Sequence, residues 1–296
     1  MIEKKPLSSK FLDNGIILKS KKSITPLKIN KSKVISLFKK NGCILFRNFK
    51  FTAENYKKFT DIFTKNYATD TNDISRRKKT KYSKFIRHVD AGYKKMSLHS
   101  EASFSPSWPE IVWFFCEEPA KKNGETTICD GIKLWESLSE TTKEFFLSNP
   151  LKYKLKIPAL EAKKNGKKKK WMLNKQGAYD AIIDYKTGIL NITQVRFAAN
   201  DDNVLKKLSF SNHVLHKKPY IDKSINKWGT IFDKNIPKKI LKEIEEKSEI
   251  LTYYHKWKKF DLLMIDNKRF MHARNFFNKN DKRKILNTQT LESNFN

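Results

Sequence analysis

His99-Ser100-Glu101 sets an imidazole and a carboxylate two residues apart, and a third candidate ligand, His272, follows the run Leu262-Leu263-Met264-Ile265-Asp266-Asn267. In an extended chain residues i and i+2 point to the same face, so His99 and Glu101 are expected to form two adjacent legs of a metal site. Two histidines and one carboxylate on one face of an iron leave three coordination positions open. Non-haem Fe(II) oxygenases need those positions for a co-substrate and O2. Eleven residues beyond His272 stands Arg283, between Lys282 and Lys284. Strand alternation puts Arg283 and Ile285 on one face, and a guanidinium turned into a barrel mouth suits a carboxylate ligand. Thr126, in Gly124-Glu125-Thr126-Thr127, is placed to add a hydroxyl to the same anion.

A rival motif, His88-Val89-Asp90, lies eleven residues before His99 and offers the same kind of pair. His213, His216 and His255 sit in Lys-rich or aromatic surroundings and read as surface or packing histidines. Other chemistries have no signal, because the chain holds no GxxxxGK[ST], no GxGxxG after a strand, no GxSxG and no CxxC.

The elements that must carry these groups are mostly strands. Strand-like runs are expected at Met96–Glu101, Glu110–Glu117, Thr126–Cys129, Tyr153–Ile157, Ile189–Val195, Leu262–Asp266 and Arg283–Leu291, with Cys43–Phe49 as a buried strand and turn. Thr52 with Asn55 opens a helix over Tyr56 to Phe63, and further helices are expected at Ile132–Phe146 and, begun by its proline, Pro237–Ser248. Strands joined by long irregular connections argue for a barrel or sandwich. Residues 1–32 read as a polar, loosely ordered N-terminal arm and residues 33–296 as one domain, with about 200–260 as a helical insert or lid before the distal histidine. Residues 70–84 are polar, and the basic run Lys163–Lys170 reads as an exposed loop.

Composition narrows the class. The chain has 296 residues, 39% apolar and 12% aromatic, which suits a buried core and excludes a disordered chain. The longest apolar run, Ile111–Cys116, is too short for a bilayer span of about 20 residues. Three cysteines without CxxC spacing read as reduced thiols in the cytoplasm. The net charge of +31 suggests a polyanionic partner, yet only eight of the 62 cationic residues are arginine. A Lys-rich solvated surface is therefore the simpler reading, and nucleic acid is an unexpected partner. The alternative retained is a basic nucleic-acid-binding protein whose His/Glu set is incidental.

The stretch LHSEASFSPSWPEIVWFFCEEPAKKNGETTICDG, with FDLLMIDNKRFMHARNFF and KRKIL, resembles the TauD/TfdA family of Fe(II)/2-oxoglutarate dioxygenases. Its HxE form followed by the SxSPxWP-like run is most similar to the SyrP-like subgroup. The resemblance runs from about Gly42 to Leu291 and implies a double-stranded β-helix, or jelly roll, of the clavaminate synthase-like kind, mainly β with flanking helices. It also implies Fe(II) held by His99, Glu101 and His272, with the far carboxylate of 2-oxoglutarate on Arg283 and Thr126. Arg274 and Phe104 are expected near the substrate, and Asp266 and Asn267 in a supporting turn. The implied reaction is hydroxylation of an aliphatic C–H with O2, releasing succinate and CO2. The implied substrate is an amino acid or amino-acid-derived natural-product intermediate, free or tethered to an acidic carrier protein. Related halogenases carry Ala or Gly where this chain has Glu101, so halogenation is not expected.

Overall fold

The computed structural model describes residues 2–8, 13–22, 24–68, 78, 80–89, 92–105, 107–158, 179–184, 189–216, 227–230 and 235–295. Residues 163–170 and most of 70–79 lie outside them, so the expectations for those segments do too. The chain opens with strands β1 (Ile2–Ser8) and β2 (Asp13–Ser20), helix α1 (Lys31–Asn41), β3 (Cys43–Arg47) and α2 (Ala53–Phe63). Short strands β4 (Thr64–Tyr67) and β5 (Arg87–His88) precede β6 (Ile111–Glu118) and β7 (Thr126–Asp130). Helices α3 (Gly131–Ser137) and α4 (Glu140–Ser148) lead to β8 (Leu151–Pro158), β9 (Tyr179–Asp184), β10 (Ile189–Arg196), β11 (Ala199–Asp202), β12 (Lys207–Phe210) and β13 (Lys227–Thr230). Helix α5 (Lys238–Leu251) is followed by β14 (Tyr253–His255), β15 (Leu262–Asp266), β16 (Phe270–Arg274) and β17 (Lys284–Ser293).

The larger sheet has the order β1-β2-β3-β15-β6-β17-β4, with β5 also on β17; a smaller sheet has the order β14-β7-β16. Strand alternation explains how the two sheets share a core. On β3, β6 and β15, Ile44, Phe46, Ile111, Trp113, Phe115, Leu262 and Met264 face outward onto α1 and α2. There Phe46 and Phe59 meet edge to face at 5.2 Å and Tyr56 stacks on Phe115 at 5.2 Å. The intervening residues, Cys43, Leu45, Val112, Phe114, Leu263 and Ile265, face inward and meet Ile128 of β7 and Phe270 of β16. The outer face of the smaller sheet, through Cys129, Met271 and Ala273, packs on α3, α4 and α5. The central strands β3, β6 and β15 are thus apolar on both faces, because both are covered.

Local chemistry sets the helix ends. Thr52 and Asn55 form a reciprocal capping box at α2, the pair the sequence points to. The single helix expected over Ile132–Phe146 is two, because Ser139 caps a new start by accepting from the Thr142 N–H. Asp130 caps α3 and also pairs with the buried Arg269, Oδ2 to Nη2 at 2.5 Å. Pro237 begins α5 as expected, and that helix lies on the outer face of the smaller sheet, with Ile240, Ile244 and Leu251 buried. All three cysteines are buried and unpaired. No helix among the described residues is long and apolar enough to cross a membrane.

Two expectations are corrected. Residues 1–32 are not a loose arm: β1 pairs antiparallel with β2, and β2 adds parallel to β3 at Ile16–Lys19, extending the larger sheet. Polar, Lys-rich composition concealed strands in which only Leu7, Asn14, Leu18 and Ser20 are fully buried. Met96–Glu101 is also not a strand; only His99 makes a bridge, and a turn begins at Glu101. Here Ser and Asn side chains take the hydrogen bonds that a ladder would have used.

Deleting residues 2–20 is expected to lower stability by about 3–6 kcal/mol, since burial of Leu7 and Leu18 alone contributes about 1.5–3 kcal/mol each. Urea unfolding of the full and shortened chains reads this. An unchanged midpoint would restore the loose-arm reading.

Candidate metal centre and co-substrate pocket

His99 and His272 are brought side by side by their own backbones. The His99 N–H donates to the His272 carbonyl at 3.0 Å and the His272 N–H donates back at 2.9 Å. The bridge joins the loop before Glu101 to β16 and sets the two rings 4.7 Å apart. His272 shares the inward face of β16 with Phe270, and the Phe114 ring meets it edge-on at 5.1 Å. His99 Nδ1 lies 2.9 Å from the Ser97 carbonyl; as a donor there it leaves Nε2 as the ligating lone pair.

Glu101 reaches the same point from a turn rather than from a strand. Asn267, fully buried, clamps that turn: its Oδ1 accepts the Glu101 N–H at 2.8 Å, and its Nδ2 donates to the Glu101 and Pro109 carbonyls at 2.9 Å each. Ser100 Oγ donates to the Asn267 carbonyl at 2.6 Å and accepts from Trp108 Nε1 at 2.8 Å. Ala102 follows with φ of 54°, the left-handed kink that turns the chain away. Ligand atoms of His99, Glu101 and His272 all lie within 4.8 Å of one another, and among the described residues no other such group occurs.

These residues fit Fe(II). Burial, then the neighbouring imidazoles of His272, His216 and His213, hold the His99 pKa well below the usual histidine range, so the ring is neutral as ligation requires. The donor set is two imidazoles and one carboxylate, with Glu101 Oε2 3.8 Å from His272 Nε2. Of the rival pair, His88 sits on β5 opposite Leu286 of β17, and Asp90 lies outside the described residues.

Arg283 reaches the backbone of Gly124, two residues before Thr126. Arg283 Nε donates to the Gly124 carbonyl at 2.9 Å. Gly124 has φ of +71°, which favours glycine, and a Cβ there would crowd Ala120 Cβ at 3.0 Å and Arg283 Cδ at 3.1 Å. Burial and then the charge of Arg274 push the Arg283 pKa down to about 9. Among the described residues no carboxylate pairs with it, so an anionic ligand would offset an existing electrostatic cost. Thr126 is buried on β7, flanked by Arg274 of β16 and His255 of β14 at the same rung. Arg274 donates to the Lys94 carbonyl at 3.2 Å, and its guanidinium and that of Arg283 lie over the Phe277 ring at 5.7 and 5.4 Å.

Two histidines read from their sequence surroundings as surface or packing residues are further neighbours of the site. His213 and His216 are buried beside the triad, their rings each 5.0 Å from that of His99 and 4.8 Å from each other. Phe104 joins this wall, edge-on to His213 at 4.8 Å. Burial, then His216, pushes the His213 pKa down to about 3, so this ring too is neutral. Their loop, 211–216, is the described part of 200–260 that reaches the triad, and its position depends on contacts with Ser100 and Tyr153 remote in sequence.

Comparison with known proteins decides the family. The profile of the "Taurine catabolism dioxygenase TauD, TfdA family" matches residues 5–289. The chain belongs to this family. TauD/TfdA-like solved structures share the fold over nearly the whole length. PvcB from Pseudomonas aeruginosa aligns with TM-score 0.62 at 12% identity, covering 97% of this chain and 91% of that one. AAD-2, in complex with Mn(II) and N-oxalylglycine, aligns with TM-score 0.60 at 16% identity, covering 98% and 97%. A putative alpha-ketoglutarate-dependent taurine dioxygenase from Burkholderia xenovorans gives 0.62 at 13%, covering 98% and 92%. Among curated proteins, dapdiamide synthesis protein DdaC of Enterobacter agglomerans is 25% identical over 118 residues, 40% of this chain and 36% of DdaC.

The architecture is therefore the jelly roll expected, in a chain that belongs to a family of dioxygenases. An incidental metal site on a nucleic-acid-binding protein does not accord with that membership.

Asn267→Asp keeps the size but faces a carboxylate oxygen toward two backbone carbonyls. It is expected to weaken Fe(II) or Mn(II) binding about 10–100-fold, as loss of a ligand-orienting contact does. Metal titration monitored by calorimetry measures this, and wild-type affinity would remove Asn267 from the site.

Proposed function

We propose that this TauD/TfdA-family dioxygenase hydroxylates an aliphatic C–H of an amino acid or an amino-acid-derived natural-product intermediate, releasing succinate and CO2. The observation that carries the reading is the convergence of His99, Glu101 and His272 inside the jelly roll. In this reading those three residues hold Fe(II) on one face. The bound metal, with 2-oxoglutarate and O2, supplies a two-electron oxidation in which one oxygen atom enters succinate and the other the substrate.

The protein's part is to bind, orient and keep the centre dry. His99 stays neutral through burial, and the Glu101 turn is fixed by Asn267. Arg283 and Thr126 grip the far carboxylate of 2-oxoglutarate, the guanidinium by charge and the hydroxyl by hydrogen bond. Phe114, Phe104 and His213 wall the centre with rings that exclude water. Arg274 and Phe104 are read as substrate neighbours. Glu101 fills the position that halide-binding relatives leave to a small residue, which favours hydroxylation.

The substrate class draws on relatives by name: DdaC is a dapdiamide synthesis protein, and PvcB is described as an oxygenase from an isonitrile synthetic pathway. The SyrP-like form of the HxE segment points the same way. A net charge of +31 suits a substrate delivered on an acidic carrier. The buried, unpaired thiols suit a reducing cytoplasm.

Two outcomes test this. Arg283→Gln is expected to raise the KM for 2-oxoglutarate about 10–100-fold, the cost of a lost charge-assisted hydrogen bond, with Fe(II) affinity unchanged. An unchanged KM would remove Arg283 from the co-substrate site. Succinate release is then assayed against free amino acids and the same groups on a carrier domain. Higher salt should slow the tethered substrate far more than the free one; equal sensitivity would discard the carrier.

A further inference from the structure

Thr126 Oγ1 accepts a hydrogen bond from Trp257 Nε1 at 3.1 Å. The threonine is 3% exposed, and the bond from Trp257, in which it accepts, is the one its side chain makes among the described residues. A buried hydroxyl is both donor and acceptor, and leaving the donor half unmet costs free energy. The indole N–H settles which half is already used. With one lone pair occupied from the Trp257 side, the O–H is constrained to point elsewhere, toward a group that brings an acceptor oxygen.

We infer that Trp257 is a positioning residue for the co-substrate: its indole N–H orients the Thr126 hydroxyl so that it donates to the far carboxylate of 2-oxoglutarate. The inference rests on the reading of Thr126 and Arg283 as the pair that holds that carboxylate. Trp257 does not touch the ligand in this account; it acts through Thr126.

The surroundings of Trp257 are built to hold it still. The His255 ring meets the indole edge to face at 4.4 Å, and His255 pairs with Thr126 across β14 and β7. Asp261, buried at the far end of the same loop, takes Arg47 in a bidentate pair, Nε to Oδ1 at 2.9 Å and Nη2 to Oδ2 at 2.5 Å. Asp261 also accepts the Lys258 N–H at 2.9 Å and lies 3.5 Å from His255 Nε2. Arg47 Nη2 donates to the Lys256 carbonyl at 3.2 Å. The loop 255–261 is therefore clamped on both sides of the tryptophan. A ring held this firmly directs its N–H without the entropy cost of freezing a mobile side chain on each binding event.

The test uses the full-length protein loaded with Mn(II) and two probes, read by titration calorimetry. N-oxalylglycine carries a distal carboxylate; oxalate chelates the metal without one. Trp257→Phe should weaken N-oxalylglycine about 3–10-fold, the size of one modest hydrogen-bond effect, and leave oxalate within about twofold. Thr126→Val should cost N-oxalylglycine more, and adding Trp257→Phe to it should cost nothing further. If Trp257→Phe does not fold, 3-benzothienylalanine at position 257 removes the N–H while keeping the ring. Wild-type affinity for N-oxalylglycine in the Trp257 variant, beside a weakened Thr126→Val, would overturn the inference alone. Equal losses for both probes, or full additivity, would reduce Trp257 to packing. No effect of Thr126→Val or Arg283→Gln on N-oxalylglycine would instead overturn the co-substrate reading beneath it.

Discussion

Two backbone hydrogen bonds between His99 and His272 fix the geometry on which the rest of the site depends. They tie an irregular loop to an inward-facing strand, so that both rings arrive from adjacent chain segments with little freedom. The carboxylate cannot follow by strand alternation, because the chain turns at Glu101. Asn267 supplies the missing constraint, using its one acceptor and both donors on the backbone around that turn. A buried side chain satisfied at every polar atom is costly to replace, since each substitution strands backbone groups that water cannot reach.

The jelly roll supplies the frame for these contacts. β16 lies against β7, so the rung that carries Arg274 also carries Thr126, and β14 adds His255 on the other side. Arg283 enters from the start of β17, whose inward face continues with Ile285 in the core between the sheets. The candidate metal ligands and the pair proposed to bind the anion are thus separate outputs of one set of strands. Their distances follow from registers that the apolar alternation of β3, β6 and β15 locks in place.

Much of this was legible in the sequence. The Thr52/Asn55 cap, the Leu262–Asp266 strand and the proline at the start of α5 are local signals, and each appears as read. The grouping of His99, Glu101 and His272 was legible through residue types and spacing and through the family resemblance, yet a turn at Glu101, not a shared strand face, brings the carboxylate to the two rings. The N-terminal strands were hidden by lysines on an edge, where polar residues are tolerated on the solvent side. His213 and His216 were hidden for a different reason: their loop is placed by contacts with residues far along the chain. Trp257 belongs with them, because its partner Thr126 is 131 positions away.

The central claim is that His99, Glu101 and His272 hold an iron to which 2-oxoglutarate binds with its far carboxylate on Arg283. Anaerobic addition of Fe(II) and then 2-oxoglutarate to the apoprotein, followed by visible spectroscopy, tests it without knowledge of the substrate. The account predicts a weak metal-to-ligand charge-transfer band in the wild type, absent in His99→Ala and diminished in Arg283→Ala. A band that survives in His99→Ala and disappears in His88→Ala, or no band in folded protein that binds iron, would contradict it.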